Sequence, residues 1–176
     1  LINALQGGEI DLGSVTEILE PSDGDTRRRS IQVKAEGVGS RIRLPGLQNF
    51  VDQSGYDTGG GDGQYSRLHA TQGGAILLGA LTSVRGVYFP LDGTGTIDTS
   101  TIVNLQHSDI TASNQAVNLG AVRNAYSTDF TMNGVDVNLS NLQSAEYGSF
   151  DIRGVRIGLP LLGDVDGASF YVSGGV

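Results

Sequence analysis

A template of about 20 residues recurs along this chain, and any fold must accommodate it. The clearest copies open at Val117, Val137 and Ile157, with the pattern (I/V)-x-L-x-x-(L/V)-x-x-(A/V), then F-x-(V/I/M), then Gly. Carried back through the chain, the opening position is Ile10, Ile42, Ile76, Ile97, Val117, Val137 and Ile157. The fifth apolar position reads as Ile31, Leu68, Phe89, Ile110, Phe130, Phe150 and Phe170. The sixth reads as Val33, Ala70, Leu91, Ala112, Met132, Ile152 and Val172. Across all six apolar columns only Thr99 is polar.

The spacing selects strand over helix. I-x-L and F-x-V place alternate side chains on one side of an extended chain, and small or polar residues between them suit bends. Two residues after each later F-x-V pair come Gly93, Asn114, Gly134, Gly154 and Gly174. Gly and Asn are the residues that enter the left-handed region most cheaply, so this column predicts a positive-φ corner once per repeat. The expectation is an all-β parallel β-helix (β-solenoid) of about seven coils of roughly 20 residues, forming one domain over 1–176. The leucine-rich repeat is the competing pattern, since it shares I-x-L-x-x-L. The chain lacks that repeat's ladder Asn and its helix-forming convex segment. Ile2 and Ala4 fit the F-x-V pair of a preceding coil, and no capping segment is visible at either end. The domain is therefore expected to continue into a longer parent chain on both sides.

Composition narrows the partners. Lys+Arg 11 against Asp+Glu 19 gives a net charge of -8, which makes nucleic acid a poor partner. No apolar run approaches the length of about 18 residues that spans a bilayer, so no membrane insertion is expected. With no Cys and two His, thiol chemistry and His/Cys metal sites have no residues to build on. Neither His69 nor His107 lies in a nucleophile motif, and G-G-G-D-G is a turn rather than a phosphate loop. No catalytic residue is assigned, and the residues favour a binder over an enzyme.

The repeat is interrupted in one register. The first two coils carry inserted loops of about 19–30 and 51–67, which must emerge side by side as one lip. This lip holds Asp23, Asp25, Asp52, Asp57 and Asp62, the densest carboxylate group in the chain. Calcium takes several oxygen ligands from flexible loops, so these five are the candidate metal ligands and calcium the candidate cofactor. The alternative is a solvated acidic loop with Arg27, Arg28 and Arg29 as counter-charges. Tyr56, Tyr65 and His69 are the candidate ligand-binding residues, because an exposed Tyr offers a flat apolar face with a hydroxyl.

These G-x-(I/V)-x-L-x-x-L-x-x-(I/V/A) and F-x-V repeats resemble the Gly- and Asp-rich β-solenoid repeats of large bacterial secreted and surface proteins. The resemblance covers nearly the whole chain, and it implies architecture more specifically than activity. It implies an extracellular or cell-surface location and one of three roles. The first is a non-catalytic module that binds a polysaccharide or cell-surface glycan, assisted by calcium. The second is a structural spacer or stalk of a large adhesin. The third is a polysaccharide lyase or hydrolase.

Overall fold

A computed structural model describes residues 1–23, 29–55 and 65–174. The chain is all-β, with no helix among the described residues, and every strand pairing is parallel. Three long sheets are visited in turn. The largest has eight strands, beginning with Ile2–Leu5 and ending with Ser149–Arg153 and Ser169–Ser173. A four-stranded sheet includes Glu9–Asp11 and Arg41–Leu44, and its course is extended by the pair Val117–Asn118 and Val137–Asn138. A five-stranded sheet runs from Glu17–Glu20 to Asn124–Tyr126. Such an arrangement is compatible with a β-helix.

The register follows the apolar columns. Ile10 pairs with Ile42, Ile42 with Ile76, and Val117 with Val137. Phe89 pairs with Ile110, Ile110 with Phe130, Phe130 with Phe150, and Phe150 with Phe170. Apart from Phe170 on the last strand, these side chains meet in a single continuous core in which Phe50, Phe89, Phe130 and Phe150 are fully buried. The rings of Phe130, Phe150 and Phe170 stack at centroid distances of 4.8 and 4.7 Å. Thr99, the polar exception, is buried and its hydroxyl donates to the Asn118 carbonyl at 2.8 Å. A hydroxyl so paired costs little in an apolar column.

The corner column behaves as its composition predicts. Gly93, Asn114, Gly134, Gly154 and Gly174 all have positive φ, between 65° and 77°. The corner also extends back to Gln72, Gly37 and Gln6, at φ 53°, 92° and 54°.

Two details of the early repeats differ from the sequence pattern. Val33, not Ile31, occupies the fifth column, because it pairs with both Ile2 and Leu68. Ile31 belongs to the returning loop: its N–H is bound by Ser66 Oγ at 2.8 Å and its carbonyl by the Arg67 N–H. The inserts are also shorter than 19–30 and 51–67. Leu19 and Glu20 pair in strand register with Val51 and Asp52, and Ser66 and Arg67 already belong to the strand Ser66–Thr71.

Candidate functional site

The base of the lip is a buried polar cluster. Asp52 is 1% exposed; its Oδ1 accepts the Ser54 N–H, and its Oδ2 accepts both the N–H and the hydroxyl of Ser66. The carboxylate thus clamps the two ends of the second insert. Glu20, its register partner, is also buried and pairs with Arg29, whose guanidinium also donates to the carbonyls of Pro21 and Asp23. Asp23 itself lies exposed on the surface. Asp25, Tyr56, Asp57 and Asp62, named as candidates above, lie outside the described residues. Among the described residues, no three of His, Asp and Glu gather as a metal would require. The Asp52 oxygens are engaged by Ser54 and Ser66 on either side of the insert, a structural task that loop composition did not reveal.

Tyr65 and His69 reach the outer face of the largest sheet. Tyr65 is half-buried, and its carbonyl accepts from Gln32 Nε2 at 3.1 Å. His69 stands beside Lys34 in register, and burial, reinforced by the Arg67 charge, pushes its pKa down. Arg67 lies over the Tyr88 ring at 4.8 Å from its centroid, a cation–π contact on the same face. Farther along this column Asp109 and Asp129 are register partners on adjacent strands. Desolvation raises both carboxyls above the ordinary range, and the Asp129 charge raises Asp109 further.

A second surface lies over the smaller sheets. Asn138 Nδ2 donates to Asn118 Oδ1 at 3.2 Å, and Asn124 Nδ2 donates to Asn104 Oδ1 at 2.8 Å. The side-chain oxygens of Asp98, Asn118 and Asn138 each accept the N–H two residues on, so an Asx turn recurs repeat after repeat. Beside these turns runs a shallow polar depression of about 520 Å³, lined by Ser100, Val103, Asn118, Gly120, Ala121, Arg123, Asn138, Ser140 and Asn141. It crosses three successive repeats and presents hydroxyl, amide and guanidinium groups to solvent.

The same region carries aromatics that the column reading overlooked. The ring centroids of His107 and Tyr126 lie 5.4 Å apart, and those of Tyr126 and Tyr147 5.6 Å apart, each pair edge to face. Tyr126 is 40% exposed and Tyr147 58%. His107, Ser127 and Tyr147 form a second positive-φ corner, completed by Gly86 and Gly167. Tyr126 comes from the neighbouring column, after Gln106, so no single column of the alignment is aromatic. Only the folded corner joins the three rings.

Among the described residues no helix is long and apolar enough to cross a membrane. Compared with known protein families, curated proteins and solved structures, the chain shows no match.

Proposed function

We propose that this chain is a parallel β-helix of about seven coils acting as a non-catalytic extracellular module that binds a polysaccharide. The observation that carries the reading is the polar depression beside the Asn118–Asn138 rung. Polysaccharides are recognised by dispersed hydrogen bonds to many hydroxyls, and a surface that repeats amide and hydroxyl groups every coil offers these along a line. The stacked core supports the reading by making the platform rigid, so little ordering cost falls on the protein when it binds. An extracellular location follows from the resemblance of the repeats to those of secreted and surface proteins.

The second reading is a structural spacer. It is favoured by the uninterrupted stack of Phe130, Phe150 and Phe170, which serves a rod whether or not its surface binds anything. Affinity electrophoresis through gels containing neutral and acidic polysaccharides separates the two. Retardation by at least one glycan is expected of the module, and its loss in chelator would add calcium to the site. Unchanged mobility in every gel would leave the spacer.

A further inference from the structure

We propose that the ridge formed by His107, Tyr126 and Tyr147 is the stacking platform of this module and that its ligand is an uncharged glycan lying along the coil axis. The inference rests on the binding reading above and specifies its site and ligand class.

Three observations converge on the ridge. First, two of the three rings are exposed, since Tyr126 and Tyr147 keep 40% and 58% of their surface in solvent, while His107 is half-buried at the end of the row. An exposed tyrosine ring is a flat apolar face with a polar edge, suited to the C–H face of a pyranose and its hydroxyls. Secondly, two of the rings sit on strained backbone. His107 and Tyr147 have φ of 47° and 56°, at a corner where Gly86 and Gly167 occupy the neighbouring coils. An L-residue there costs on the order of 1–2 kcal/mol, and an aromatic side chain does nothing to lower that cost. Thirdly, the next coil makes room. A Cβ at Gly167 would meet the Tyr147 ring at 2.6 Å, so the ring rests directly over backbone that lacks a side chain. The Tyr147 ring thus stands between the Gly167 backbone and the Tyr126 ring, with 58% of the residue left to solvent. The hydrogen-bonded Asn104–Asn124 rung ends on the strand that carries Tyr126, supplying amide groups alongside.

Charge selects the ligand class. Glu146 directly precedes Tyr147, and the Asp166 and Asp164 carbonyls of the next repeat accept the N–H groups of Tyr147 and Ala145, so these three acidic residues lie at the Tyr147 end, where the charges of Asp164 and Asp166 act on Glu146. At the His107 end stands Arg85, which donates to Gln106 Oε1 at 3.2 Å and keeps its positive charge, so the acidic residues outnumber it three to one along the ridge. A polyanion along the axis would lay its carboxylates or sulfates against three acidic side chains, which is unfavourable. A neutral chain meets no such penalty.

The test uses calorimetric titration with cellohexaose, laminarihexaose and mannohexaose as neutral probes and hexagalacturonate as the anionic one. The variants are Tyr126→Gln, which copies Gln106 in the same column, and Tyr147→Asn, since Asn114 shows that Asn accepts a left-handed corner. Tyr171→Ala, at an exposed tyrosine of the largest sheet, is the control. Urea midpoints verify that each variant is folded. The expected result is binding of at least one neutral hexasaccharide, weakened about ten-fold or more by Tyr126→Gln and by Tyr147→Asn, and unchanged by Tyr171→Ala. Neutral binding untouched by both ridge variants would overturn the platform and leave the module standing. Binding of hexagalacturonate alone would overturn the ligand class. No binding by the wild-type chain to any probe would overturn both this inference and the reading beneath it.

Discussion

Asp109 and Asp129 occupy the same position on adjacent strands of the largest sheet, so two carboxylates of like charge stand directly beside each other. Asp109 is half-buried and Asp129 lies at an exposed strand start; desolvation raises the pKa of both, and the Asp129 charge raises Asp109 further, while Thr111 and Arg67 offset part of this. A carboxyl whose pKa is raised on folding binds its proton more tightly in the native state. Its contribution to stability is complete below the unfolded carboxylate range and is lost as pH climbs through the folded value. Asp129→Asn is therefore expected to stabilise the domain at pH 7 by about 0.2–1 kcal/mol, the usual size of a like-charge pair across strands. Urea denaturation of variant and wild type at pH 7 and pH 3 checks this, with the advantage vanishing at the lower pH.

Phe150 is fully buried between Phe130 and Phe170, whereas Phe170 is 44% exposed. Phe150→Ala is expected to cost ~3–5 kcal/mol through lost transfer energy and a cavity that neighbouring coils fill poorly. Phe170→Ala should cost clearly less. Equal losses in the denaturation midpoint would contradict the stacking order.

Gly154 has φ of 74°, yet the nearest atom to a Cβ built there is 3.6 Å away. Space is available and only the backbone conformation resists. Gly154→Asn is thus expected to be tolerated better than Gly154→Val, which adds β-branching to the left-handed strain. Thermal midpoints in the order wild type, Asn, Val are the outcome to look for.

Asp52→Ala removes the acceptor of the Ser54 and Ser66 N–H groups at the base of the second insert. With Ser66 fully buried, a donor left unpaired costs about 1–3 kcal/mol. Urea denaturation measures this. The same variant assayed for glycan binding separates a clamp from a ligand-contacting residue: the clamp reading predicts lower stability with affinity retained.

The apolar columns and the corner of Gly93, Asn114, Gly134, Gly154 and Gly174 were legible in the sequence because stacking demands the same side chain, and the same φ, at each turn. The early register was not. Ile31 and Val33 differ by two residues, and a shift of two keeps the same face inward, so hydrophobicity alone cannot separate them. Only the pairing of Val33 with Ile2 and Leu68 decides. Asp52 and Glu20 read as loop because carboxylates seldom face a core; their burial depends on partners contributed by Ser66 and Arg29. The ridge stayed hidden for another reason. Its rings come from two columns, and their meeting depends on a positive-φ corner that Ser127 and Gly167 share with His107 and Tyr147.

The central claim, a neutral glycan lying along the axis over several repeats, is tested most directly by calorimetry with neutral β-glucan and mannan fragments of increasing length. The account predicts affinity that rises with each added sugar until the chain spans the ridge, then levels off. Affinity independent of length from the monosaccharide upward, or no heat of binding at any length, would contradict it.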